Sequence, residues 1–595
     1  MAIPTTIYDF IKSEENKYDL DSTVIDGWEW NMKEHINTST LYKNGRLKTG
    51  NSDDKPVKNI CLPILNLEYR AEDIDVKDIN LYVDDSDKYH LSFLIKKYHD
   101  DVFVVENDID SFIDEEKEEH IDLGAVLVKD VGEAKPDIIH LQDIAFCNQN
   151  DILSSPFGIK LLYSPDQLKE MEKRGWGDRD NGATHTIDEV IQLAYDDKGD
   201  ITGKDIKLYE VHGKLPDAYF NDKYDFEDMK RFSRQFQVIG FYKDENGDRQ
   251  GICLFKKKVD KQFFKLYKRD KIHNRAVGRG GVEELFEPQV WTTYDQIHKK
   301  NMLDAASKII IQTDDDKVSA RHPSGLRGMK NLDIVTVDEG KRIGQLDSYP
   351  RNINLFTQWD EEWEVSARAT GAAQEAISGD KPSAGTPFRS MELQSAESHS
   401  LHKYRIGKHA KFIEEIYRDW FIPHIIKKIT SGKKWLSTLD LDDMQMIVKT
   451  VITRKANQRI INQALAGEKI DPQEIEDFKD RERKDFMENK ERFLEILEED
   501  FKNAPIAVKI NIKGKQKDLQ AWTEKLVNVF RQIIGSVNPQ TGESILSNPS
   551  FAKLFNQIIE ASGMSPLDFA EFTAAPTQQA LPQQVQQPAP QQVQQ

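Results

Sequence analysis

The stretch GVEELFEPQVWTTYDQIHKKNMLDAASK, residues 281–308, decides how the chain reads. Phe286, Val290, Tyr294 and Ile297 recur at intervals of three and four, which places them on one stripe of an α-helix. Pro288 falls close enough to the start to be tolerated there, since the first-turn amides have no helical partner. Upstream of this segment the sequence alternates short strand-like runs with turns. Downstream it is dominated by long helical patterns. The expected fold class is α+β, predominantly helical.

Working upstream, DVFVV (101–105), AVLV (125–128), IKLYEV (206–211) and QVIGF (237–241) are short and rich in β-branched or aromatic residues, as strands require. DENGDR (244–249) lies between two such runs, and its Asn-Gly tolerates positive φ, so it predicts a hairpin. Residues 100–122 carry eleven carboxylates opposed only by Lys117. Phe112 stands where an EF-hand needs a ligand and the loop glycine is missing, so a solvated acidic face is expected rather than a calcium loop.

Working downstream, residues 309–352 hold β-rich runs at 309–311 and 334–337, with seven acidic and seven basic residues. A second helix follows, with Leu355, Trp359 and Trp363 spaced four apart. GDKPSAGTP (379–387) cannot continue a helix. A very long helical pattern then runs from Ser390 to about Lys428, with a stripe at Phe412, Ile416 and Trp420 and a kink expected at Pro423. The region from Leu436 to Phe572 reads as helical, with an exposed charge-alternating helix in 471–503. The last 23 residues contain ten Gln, four Pro and no charge, a composition that predicts disorder.

Composition narrows the function. The 595 residues carry 102 acidic against 82 basic side chains, a net charge of −20. That excludes a protein that coats DNA, because such affinity comes from cationic side chains releasing counterions. Cys61, Cys147 and Cys253 are too scattered for a disulfide framework or a zinc site of the usual spacing. The N-terminus lacks a signal-peptide pattern and no apolar run approaches the ~20 residues of a membrane span, so a soluble intracellular protein is expected.

Catalytic signatures are missing. Ser431-Gly432-Lys433 lacks the rest of a P-loop, and Gly278-Arg279-Gly280-Gly281 lacks GxGxxG spacing and reads as a flexible turn opening a helix. His399, His402 and His409 share the long helix, yet no HExxH or ExxH pattern supplies a carboxylate, so they read as polar surface or interface residues. No catalytic residue, metal site or cofactor is expected.

The order of elements carries a resemblance. HNRAVGRGGVEELFEPQVWTTYDQIHKKNMLDAASK (273–308) resembles the start of the stem in the portal proteins of tailed double-stranded DNA phages, where a YGRG-like turn opens a long helix. Here Val277 replaces the tyrosine, followed by Gly278, Arg279 and Gly280. SARATGAAQEAISGDKPSAGTPFRSMELQSAESH resembles the second stem helix, the tunnel loop and the start of the long wing helix. Length, Gln-rich tail and helical C-terminal region look most like the portals of short-tailed phages such as the crAss-like group.

The resemblance implies a non-enzymatic, homododecameric ring at one capsid vertex of the virion, assembled in the bacterial cytoplasm, through which the genome is packaged and ejected. Implied partners are further copies of the chain, the major capsid protein, the terminase large subunit in transit, head-to-tail adaptors and double-stranded DNA passing non-specifically, with no membrane. On this mapping 1–281 and 391–432 form the wing, 282–308 and 353–378 the stem, 309–352 the clip, 379–390 the tunnel loop and 433–572 the crown. Val290, Tyr294, Ile297, Leu355, Trp359 and Trp363 become stem-packing residues, with intrachain core as the plain alternative for Trp359 and Trp363. Lys381 and Arg389 become tunnel-loop residues able to touch phosphates, or simply solvated loop charges. The competing class is a metal-dependent nuclease of the packaging machinery, since a chain this acidic offers many carboxylate pairs.

Overall fold

The computed structural model describes residues 4–20, 22–25, 28–45, 57–83, 89–195, 201–202, 205–221, 225–243, 249–306, 310–317, 336–346, 353–370, 388–431, 441–466, 471–488 and 506–510. They are mixed α and β with helix the commoner element. The chain divides into two compact units, Met1–Val76 with His99–Lys428, and Lys77–Tyr98 with Ile429–Gln595.

The helices used below are α1 (Ile7–Leu20), α2 (Cys61–Ala71), α3 (Ile109–Leu123), α4 (Phe286–Ala306), α5 (Ile353–Thr370) and α6 (Phe388–Ile416). The strands of the first unit are β1 (Ala125–Lys129), β2 (Asp137–Ile139), β3 (Ile144–Phe146), β4 (Phe157–Tyr163), β5 (Asp205–Pro216), β6 (Phe232–Lys243), β7 (Arg249–Lys258) and β8 (Phe264–Lys268).

A sheet in the order β7-β6-β5-β4-β3, antiparallel throughout, forms the centre of the first unit, with the short strand Ile201–Thr202 added to β5. Its residues alternate between two cores, as a period of two demands. Tyr209, Val211, Ile239, Phe241 and Cys253 join Ile7 and Ile11 of α1 on one face. Leu208, Val238, Ile252 and Leu254 face the other way, against Trp176 and the helix Ile187–Tyr195. A sheet covered on both faces buries Gln235 and Gln237 too, and these bond each other at 2.7 Å. A second sheet, β8-β1-β2, is also antiparallel.

The expected strands at 125–128, 206–211 and 237–241 are present, and β6 and β7 form the predicted hairpin partners. DVFVV is a correction: His99–Phe103 is a π-turn and Val104–Asn107 an α-turn. Phe103 is buried in an aromatic cluster, its ring 5.3 Å from Phe421, and this packing overrides β-propensity. In the insert after α4, strand Ile310–Thr313 is close to the expected run, but its antiparallel partner is Ile343–Leu346, with Val337 outside any strand.

Downstream of α6 a π-turn at Tyr417–Phe421 precedes the helix Ile422–Ser431. Pro423 offers no amide and would clash with the carbonyl of residue 419, so the extra residue in the turn relieves the conflict where a kink was expected. In the second unit, helices Leu441–Ala466 and Pro472–Glu488 are followed by strand Ile506–Ile510, which pairs antiparallel with Ile79–Val83. That strand departs from the wholly helical expectation for this region. The breaker 379–387 with Lys381, the helices expected at 518–534 and 550–561, and the Gln-rich tail lie outside the described residues.

Candidate functional site

The glycine-rich turn before α4 is closely packed rather than flexible. Ala276 and Val277 are fully buried, and a Cβ on Gly278 would meet the Gly124 carbonyl oxygen at 2.7 Å and that of Asp270 at 2.8 Å. A Cβ on Gly280 would collide with the Asp122 carbonyl. The backbone amides of Arg269 and Gly278 both donate to the Gly124 carbonyl, at 2.9 and 3.2 Å. The glycines are needed for the crossing of two backbones, and none of them has positive φ except Gly124 at +80°. Arg279 is exposed and forms an antiparallel bridge with Asp270.

Beneath this crossing lies a buried ionic spine. Arg269 is fully buried and donates to Glu68 Oε2 at 2.8 Å and Glu72 Oε1 at 2.7 Å. Glu72 Oε1 also accepts from His402 Nδ1 of α6 at 3.0 Å. One turn on, Arg405 donates through Nη2 to Asp270 Oδ2 at 2.8 Å and to Glu284 Oε1 at 2.6 Å. Burial alone would raise the Glu72 carboxyl, but Arg269 and His402 overrule it and hold it at about 2. Glu68, less well compensated, is pushed up by burial. The spine ties α2, the end of β8, α6 and the turn before α4 into one body.

His402 and His409 of α6, expected as polar surface or interface residues, are therefore corrected to buried ones, while the His399 side chain lies outside the described residues. His409 meets Glu116 of α3, 293 positions away. The acidic block is corrected with them: Glu116 and Asp122 are buried, and Asp122 is bonded by Lys43 and Tyr69. Lys117 bonds both Asp73 and Asp114, at 2.8 and 2.7 Å. Asp110, Asp114, Glu115 and Glu118 of α3 are exposed, as expected, while Glu119 is partly buried and accepts from the Leu141 amide at 2.9 Å.

The helix pair α4 and α5 has its polarity reversed. Gln289, Thr292, Thr293 and Asp295 of α4 and Asp360 of α5 are buried. Gln296 and Lys299 bond Asp360 at 2.7 and 2.8 Å, and Gln289 bonds the Lys58 carbonyl at 2.8 Å and Thr293 at 3.0 Å. Burial and the neighbouring Asp360 charge raise the Asp295 carboxyl. The aromatics lie on the other side as a ladder. Trp291 stacks on Trp363 with centroids 6.1 Å apart, Trp359 meets Trp363 edge-on at 6.0 Å, and Tyr294 and His298 continue it to Phe356.

Tyr294, Leu355 and Trp359 are 51%, 59% and 47% exposed, so they are not intrachain core. Val290, Ile297 and Trp363 are half-buried. Arg389 lies in the first turn of α6, inside the segment expected as loop, and its side chain lies outside the described residues. The buried carboxylates and the reversed polarity were missed from sequence; the polar run Gln289, Thr292, Thr293 and Asp295 opposite the aromatic stripe was the available signal.

No protein-family model matches the chain, and no curated protein is similar to it. Among the described residues, no helix is long and apolar enough to cross a membrane.

Proposed function

We propose that the chain is the portal-type subunit of a closed ring that conducts double-stranded DNA, without catalysis of its own. The observation that carries this reading is the helix pair. Two helices flank an insert whose described residues include an antiparallel strand pair, bond each other through polar side chains and leave an aromatic ladder facing outward. Contiguous exposed aromatic area marks a surface that another chain covers. A second copy of this chain is the natural cover, because rods with one adhesive flank close into a ring when the rotation between neighbours closes. The buried spine supports the same reading, since it anchors the rod rigidly to the sheet-bearing body.

Charge suits passage rather than binding. Each subunit carries −20, and a ring multiplies that field, so phosphates are repelled from the wall and DNA slides. The capsid protein, terminase and adaptors are the partners such a ring would meet in the virion. Mass photometry of the purified full-length protein tests the reading: one closed oligomer of fixed stoichiometry supports it, and a monomer at all concentrations refutes it.

A further inference from the structure

The core between α3 and α6 holds a set of groups that the spine does not use. Glu116 and His120 lie four residues apart on α3 and so share a helix face. His409 of α6 faces them, and one ligand atom from each of the three lies within 4.8 Å of the others. Each is at most 1% exposed. The Tyr267 ring closes the site, edge-on to His120 with centroids 4.9 Å apart and 5.6 Å from the His409 ring.

Two independent features point to a ligand. First, Glu116 Oε1, His409 Nδ1 and the Tyr267 hydroxyl are buried without a hydrogen-bond partner among the described residues. Three orphaned polar atoms on neighbouring buried side chains are costly unless a ligand partners them. Second, His120 Nδ1 lies 2.9 Å from the Glu116 carbonyl oxygen, which can only accept. Nδ1 must therefore carry the proton, which leaves the Nε2 lone pair to donate. A backbone carbonyl orienting an imidazole in this way is the usual support of a metal-bound histidine.

We propose that Glu116, His120 and His409 hold one divalent ion of the zinc class, clipping α3 to the long helix α6, with the Tyr267 ring packed against both imidazoles. Two imidazoles and a carboxylate suit a borderline ion such as Zn²⁺ and disfavour Ca²⁺ or Mg²⁺, which take oxygen ligands. The enclosure suits a structural ion rather than a catalytic one, as no polymer reaches the site. The proposal is independent of ring formation.

The test uses full-length protein stripped with chelator and then titrated with Zn²⁺ or Co²⁺. About one ion per chain is expected by elemental analysis, with visible Co²⁺ bands of four-coordinate intensity. Glu116→Gln and His409→Ala should lose that ion, while His273→Ala, an exposed site, should keep it. Chelation should lower the melting temperature of the wild type but not that of Glu116→Gln. If either ligand variant fails to fold, the wild-type stoichiometry and cobalt spectrum still decide. Absence of stoichiometric uptake by the stripped wild type would overturn the proposal and leave a proton-linked Glu116–His409 pair, as would an ion that both ligand variants retain.

Discussion

Arg269 and Glu72 lie 197 positions apart in sequence, yet the guanidinium of one donates to the carboxylate of the other at 2.7 Å inside the protein. Glu68 completes the site at 2.8 Å. Removing one member of a buried ionic set leaves uncompensated charge, which costs about 3–5 kcal/mol. Arg269→Met is therefore expected to destabilise the first unit by about that much in urea unfolding. The triple change Arg269→Met, Glu68→Gln, Glu72→Gln should recover part of the loss, because no lone charge is left behind. A single change without effect would show that the spine does not stabilise the fold.

The crossing of the Gly278–Gly280 turn over Gly124 gives a steric prediction. Gly280→Ala places a methyl against the Asp122 carbonyl and should cost about 1–3 kcal/mol. Gly132→Ala meets nothing within 4 Å, so only its φ of +77° opposes the change, at about 1 kcal/mol. Melting temperatures of the two variants should fall in that order.

Acid stability follows from groups depressed in the fold. Burial lowers His35 from 6.5 to about 4, so the unfolded chain takes up its proton first as pH falls. Stability from this group is complete above pH 6.5 and is lost between 6.5 and 4, by about 3 kcal/mol. Burial would raise Glu210, but Lys129 at 2.5 Å and His212 at 3.2 Å hold it at about 2, so its contribution disappears between pH 4.5 and 2. Denaturation midpoints should fall in two stages, and His35→Gln should flatten the first.

The aromatic ladder makes assembly separable from folding. Trp359 and Tyr294 are about half exposed, so Trp359→Glu or Tyr294→Glu should move the melting temperature of the subunit little. On the ring reading, either change abolishes oligomers, because a charge is forced into the covered seam. Size-exclusion chromatography distinguishes this from an ornamental stripe, for which both variants elute as the wild type does.

How far sequence carried the fold can be seen residue by residue. β5 and β6 were legible because their alternation matches a sheet buried on both sides. DVFVV was not, because its helical state depends on Phe421, more than three hundred residues away. Glu116 looked solvated for the same reason: its partner His409 is brought to it only by the packing of α3 on α6, which also buries the adjoining His120 of its own helix. The periodicity of α4 and α5 located the aromatic stripe, but period alone does not say which face turns inward, and here polar hydrogen bonds take the inner one.

Negative-stain electron microscopy of the purified full-length protein shows whether this chain builds a ring. Class averages of closed rings with a central hole wide enough for duplex DNA are expected. Uniform monomers would contradict the ring.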